Sequence, residues 1–332
     1  METRKVQVTG GSTYTVSLPK TWATDVGVEA GSEVTFYPDG DSLFLTPTTD
    51  DQQTRGRLDV TDLTDEALTR GVMTMYVSGF DVIVLGSPGM ATEQRGTIRS
   101  AVQSLVGLEI VEENSEQVVV QDLLDSAELS IHNAVTRMRL IALSMLDDAL
   151  TALEERDDTL AADVIGRDDD VDRLWMVVSR IFRSTLRTPR AAAELGLPRE
   201  TCFDYHSSAR QLERIADHAT KIAHLTRNID EPIPGQVVDA IDELHESAVD
   251  VIDTALDSLF QDDTEAATQM ANEARGQVLE MDNRVREIDD LLRELNPAQA
   301  QLLGLVVDSV LRSGDYGGNI AETALQKTAP SP

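Results

Sequence analysis

The sequence predicts a multidomain, mainly α protein: a small N-terminal β unit, a small α+β domain, then two tandem three-helix bundles. Three observations carry that prediction. Strand-like alternation is confined to the residues before Asp125. From there to Lys327 apolar residues recur at helical spacing, broken only at Arg187–Pro198, Asp230–Gly235 and Asn296–Pro297. The helical part also repeats itself. Met145 to Leu153 (MLDDALTAL) matches Val251 to Leu259 (VIDTALDSL) at an offset of 106, and Asp157-Asp158-Thr159 matches Asp262-Asp263-Thr264 at 105. Arg214 to His224 then matches Arg312 to Glu322 at 98.

Taken in order, residues 1–47 read as short strands. Arg4 to Thr9 and Tyr14 to Leu18 alternate around a Gly10-Gly11-Ser12 turn, and Pro19-Lys20 opens a short helix. Ser32 to Tyr37 and Ser42 to Thr46 pair around Asp39-Gly40, a hairpin signal. So small a unit buries little, and dimerisation is expected. Residues 48–55 read as a polar linker. Residues 56–124 read as β–α–β–α–β–β, with a buried strand at Phe80 to Leu85. The bundles are expected at 125–230 and 236–327. Each third helix is expected to open on a proline, Pro198 or Pro297, where a missing N–H costs nothing.

Composition sets the limits. No apolar run reaches the roughly 20 residues a membrane span needs, and no basic segment leads into an apolar export signal, so a cytoplasmic location is expected. Cys202 is the only cysteine, which excludes an internal disulfide. Acids outnumber bases 59 to 28, giving a net charge of −31, and the acids are spread along amphipathic segments. That pattern points to adaptation to molar salt, where a carboxylate surface is screened.

Against that acidic background four carboxylates stand out. Glu213 and Asp217 are i,i+4 on a third helix, and Asp168 and Asp172 are i,i+4 on the helix before it. Two facing carboxylate pairs suit a hard or borderline cation. On spacing alone they read first as surface acids, with Glu213 paired to a nearby arginine. His218 and His224 lie beside them, as packing residues or, for His224, within reach of a metal. No H-E-x-x-H, P-loop or Ser/His/Asp arrangement is present, and Gly86-Ser87-Pro88-Gly89 reads as a loop. An enzyme is not expected.

Two family resemblances add to this reading. L-E-R-I-A-D-H-A-T-K-I-A at 212–223 and D-D-D-V-D-R-L at 168–174 resemble the paired acidic signatures of PhoU, the regulators of phosphate uptake. The likeness covers roughly 125–326. It implies two tandem three-helix bundles, an iron or zinc cluster at Asp168, Asp172, Glu213 and Asp217, and a phosphate transporter ATPase or signalling protein as partner. In the second repeat Glu273 and Asp315 keep two of the acids, while Gln277 and Leu311 replace the others, so a second metal site is expected to be weaker. Residues 4–46, with the strand before Pro19-Lys20 and Gly27-Val28-x-x-Gly31-x-x-Val34, resemble the SpoVT/AbrB swapped-hairpin family. That likeness implies an intertwined homodimer binding DNA through Arg4, Lys5, Ser12, Thr13 and Lys20. The order of an AbrB-like unit, an α/β segment and two PhoU repeats is similar to that of archaeal PhoU-related regulators. The expected function is regulation of phosphate uptake by a DNA-binding protein. The alternative is a helical adaptor whose β unit only dimerises it.

Overall fold

The computed structural model describes residues 2–48, 53–123, 130–229 and 231–330, in two compact units that divide after Gln53. Half of the expected linker, residues 49–52, lies outside the described residues, as does the start of the first expected bundle at 125–129.

The N-terminal unit is two antiparallel hairpins around one short helix. Strand β1 (Gln7–Thr9) pairs with β2 (Thr13–Thr15), α1 spans Lys20–Asp25, and β3 (Val34–Asp39) pairs with β4 (Ser42–Pro47). Both turns need positive φ, supplied by Gly10 and Gly11 in the first and Gly40 in the second. The first two strands are shorter than their alternation predicts, because nothing packs across them. No described residue of this unit is buried. Val6, Val8, Tyr14 and Val16 stand more than half exposed, as do Phe36 and Leu43.

In the second unit a four-stranded sheet carries two helices on one face. Strands β5 (Arg55–Asp59), β6 (Val82–Gly86), β7 (Leu108–Glu113) and β8 (Gln117–Asp122) lie in the order β5-β6-β8-β7, with only β5 and β6 parallel. Helix α2 (Asp65–Val77) makes the crossover between them, and α3 (Thr92–Gln103) follows β6. Leu68, Val72, Tyr76, Ile83, Leu85 and Ile98 fill the core between helices and sheet. Gly56 makes room there, since a Cβ would sit 2.9 Å from the Phe80 ring and would displace the Met75 methyl. Gly86 to Gly89 is a loop held to the β7–β8 turn through Ser87 N–H to Glu116 O and Met90 N–H to Ser115 O.

Seven helices follow: α4 (Ile131–Glu155), α5 (Asp158–Arg187), the short α6 (Pro189–Leu195), α7 (Arg199–Thr226), α8 (Gly235–Phe260), α9 (Thr264–Leu292) and α10 (Pro297–Thr328). The fold is therefore mainly α, with small β hairpins first and two helical bundles last. Two local readings need correction. Arg187–Pro198 is not only a break: Thr188 caps the N–H of Ala191 and Pro189 starts α6. Pro198 stands at the N-cap of α7, whereas Pro297 is the first residue of α10 behind the Asn296 cap.

One apolar core runs through both repeats. The seam between them follows the internal repeat. Arg139 on α4 pairs with Asp253 (2.7 Å) and Asp257 (2.5 Å) on α8. Moving both partners by the offset of 106 gives the equivalent pair, His245 Nε2 with Asp147 at 3.5 Å. The bundle also grips the sheet layer. The side chain of Arg180, on α5, is 11% exposed; it pairs with Asp122 at 2.6 Å and donates to the carbonyls of Tyr76 and Phe80. Charge-assisted bonds in so dry a setting hold a helix firmly against its neighbour.

Candidate functional site

Helices α5 and α7 run antiparallel, and their acidic stripes meet at one end of the groove between them. Leu212, Ile215, Ala216, Ala219 and Ile222 bury one side of α7, and Val164, Val171 and Val178 bury one side of α5. That packing leaves Asp168 and Asp172 on α5 beside Glu213 and Asp217 on α7. Glu213 is 8% exposed, Asp168 and Asp172 are half-buried, and Asp217 is at the exposed rim.

Arg210, one turn before Glu213, supplies the nearest positive charge. Its guanidinium donates to Glu213 Oε1 at 2.6 Å and lies over the Trp175 ring. Glu213 Oε2 is buried and has no partner. Burial, reinforced by Asp217, pushes the Glu213 carboxyl up to about 7 despite Arg210. Burial and the neighbouring aspartates push Asp172 up to about 6. Lost hydration raises Asp168 and Asp217 as well, with Asp217 adding to the rise at Asp168. Four carboxylates that resist ionisation, one with an orphaned buried oxygen, are a donor set short of positive charge. In their present rotamers they form a rim and not a cage: no group of three or more His, Cys, Asp or Glu among the described residues is arranged to hold a metal ion.

The other expected site residues are dispersed. Glu273 is exposed on α9, and Asp315 pairs with Arg312 at 3.2 Å, so the second repeat gathers no comparable group. His218 packs on Tyr316, with ring centroids 5.7 Å apart, and exposed His224 contributes electrostatically at Asp168. In the N-terminal unit Ser12 and Thr13 sit at the β1–β2 turn. Arg4 and Lys5 precede β1 at the opposite, open end, where Arg4 pairs with Glu2 at 2.7 Å. Lys20 is exposed at the start of α1. One protomer thus does not gather the five into a single patch. Sequence reasoning expected an arginine beside Glu213 without naming it, and the structure identifies it as Arg210. Its position three residues before Glu213 was the available signal, since i,i+3 neighbours share a helix face.

No protein of curated function matches the chain. Among solved structures, the phosphate transport system regulatory protein PhoU from Streptococcus pneumoniae is 17% identical, with 59% of this chain and 91% of that one covered at a TM-score of 0.47. PhoU from Pseudomonas aeruginosa is 22% identical, with 60% and 96% covered at 0.48. No helix among the described residues is long and apolar enough to cross a membrane. Residues 7–53 match the family model described as antidote-toxin recognition MazE, bacterial antitoxin, which is AbrB-like, and residues 135–226, which hold all four clustered acids, match that of the PhoU domain.

Proposed function

We propose that the chain regulates phosphate uptake. Its first helical repeat would act as a sensing or docking domain and its N-terminal unit as a DNA-reading dimer. The PhoU domain match over 135–226 carries this reading, because it spans the repeat in which the acids converge. Measuring phosphate uptake and promoter occupancy at high and low phosphate, with and without the chain, tests it. If neither changes on deletion, the reading fails.

The exposed apolar strands of the N-terminal unit support dimerisation, because Val6, Val8, Tyr14 and Val16 have no cover within one protomer. Dimerisation would also bring two sets of Arg4, Lys5, Ser12, Thr13 and Lys20 into one assembly. Residues 1–47 carry three bases against six acids, which favours a second reading: a helical adaptor whose β unit only dimerises it. Gel shifts on phosphate-gene promoters in molar KCl separate the two. Sequence-selective retardation supports DNA reading, and its absence leaves the adaptor.

A metal fits the acidic end of the groove. Asp168, Asp172, Glu213 and Asp217 would hold it, with the partnerless Glu213 Oε2 as one ligand. An oxygen-rich set suits iron better than zinc, with His224 the nearest imidazole. The cation would supply the positive charge that Arg210 alone does not. The regulatory role is non-catalytic, and its partners are DNA and a component of phosphate transport, the transporter ATPase or a signalling protein.

A further inference from the structure

The acidic group fills only half of the α5/α7 groove. Beyond it the same two helix faces change chemistry. On α5, Trp175, Phe182 and Leu186 continue the spacing of Asp168 and Asp172; on α7, Arg210, His206 and Phe203 continue back from Glu213. They interlock as a ladder. The Arg210 guanidinium lies 5.5 Å from the Trp175 ring centroid. Ring centroids then follow at 4.7 Å from Trp175 to His206, 4.6 Å from His206 to Phe182 and 6.0 Å from Phe182 to Phe203. The outer end is open to solvent, with Phe203 49% and Leu186 58% exposed.

Such a surface is out of character for this chain. Aromatics are 4% of its residues, yet three of them join this one ladder. The net charge is −31, yet two arginines, Arg210 and Arg183, flank this ladder. Arg183, next to Phe182, is exposed and unpaired among the described residues. Burial, together with Arg183 and Arg210, lowers His206 to about 4, so at neutral pH the imidazole adds to the apolar platform and the positive charge stays on arginine. From Trp175 to Leu186 the platform is about 16 Å long, three helical turns. Its outer end is solvent-exposed at Phe203 and Leu186, whereas a small ligand favours an enclosed concave site.

We infer that the Trp175–Phe182–Phe203 half of the groove docks an acidic amphipathic helix of a partner protein. Its apolar residues would rest on Phe182, Phe203 and Leu186, and its carboxylates would face Arg183. Length, apolar anchors and complementary charge all fit the helix-in-groove mode. The aromatic and arginine anchors are the residue types that dominate interface energies.

Full-length protein stripped with EDTA, so that the result does not depend on the metal reading, provides the test. Trp22→Phe leaves Trp175 as the only indole. Two synthetic helices share Leu and Phe at i, i+4 and i+7, and carry either Glu or Lys elsewhere. The Glu peptide should shift Trp175 emission and bind at least about tenfold more tightly than the Lys peptide. Phe203→Ala and Arg183→Glu, both at exposed positions, should each weaken it about tenfold. Leu279→Ala, on the exposed face of α9, should leave binding unchanged. Equal binding of the two peptides, or binding indifferent to both groove variants, overturns the proposal. So does sedimentation in which the chain associates with itself and Phe203→Ala abolishes that association, since the occupant would then be a second copy.

Discussion

The two helical repeats share a backbone plan but differ in what their third helices bury. In the first, Ala216 and Ala219 lie against the core, and Asp204 and Glu213 of the same helix are buried too. In the second, the equivalents are Gly314, Gly317, Leu302 and Leu311. A Cβ on Gly317 would sit 2.8 Å from Val251 and 3.1 Å from the backbone nitrogen of Ile252, and one on Gly314 would sit 2.5 Å from Met281. The second repeat has spent its third helix on close packing with α8 and α9. The first keeps charge in partly buried positions, at a cost in stability, and so has a groove with chemistry. The two third helices thus share apolar spacing but neither the closeness of their packing nor the buried charge.

That contrast can be broken at several points. The largest effect is expected from Gly317→Leu, which should lower the urea-unfolding free energy by about 3 kcal/mol or more, since the backbone of α8 cannot retreat from the new side chain. The converse change in the first repeat, Ala219→Gly, removes only a methyl and helix propensity and should cost about 1–2 kcal/mol. If Gly317→Leu is the milder of the two, the close approach of α8 and α10 is wrong.

Asp204 tests the cost of buried charge. Burial pushes it from 3.8 up to about 6. The folded state then binds the proton more tightly than the unfolded state, so stability falls as pH rises from about 4 to 6 and stays low above that. Asp204→Asn should therefore stabilise the protein by up to about 3 kcal/mol at pH 8 and by almost nothing at pH 4. A gain equal at both pH values would mean that Asp204 is not the titrating group.

A metal at the first groove should raise stability by about 2.7 kcal/mol at a hundredfold excess over its dissociation constant, read as a shift in Tm. Glu213→Gln with Asp217→Asn should abolish both that shift and the bound metal found by elemental analysis. Gln277→Asp with Leu311→Glu restores the missing acids of the second repeat and should raise metal content towards two per chain. If this pair adds no metal while the native first groove binds it, the four acids alone do not make a site. The smallest effect is expected at Arg312→Ala, which removes an exposed pair with Asp315 and should change stability by less than about 0.5 kcal/mol.

Much of this was legible in the sequence. Helical periodicity and the offsets near 106 and 98 placed both bundles and their third helices, because an amphipathic helix writes its buried face into local spacing. The four acids were visible for the same reason, as i,i+4 pairs. Short α6 was not, since seven residues between two long helices carry too little periodicity to separate from a connection. The Trp175–His206–Phe182–Phe203 ladder was also invisible. Its members alternate between two helices whose register is set only when both pack.

Sequence alone determined which residues are apolar, where the long helices lie, and that two repeats exist, because caps, prolines and 3.6-residue spacing are local properties. Tertiary structure decided which charges meet. It set Asp168 and Asp172 beside Asp217, left Glu213 Oε2 without a partner, joined Arg139 to Asp253 and Asp257, and held Arg180 to Asp122 of the sheet. The physical reason is that burial and Coulomb interaction depend on distances across helices, and no spacing along a single chain encodes those until the core has fixed the register.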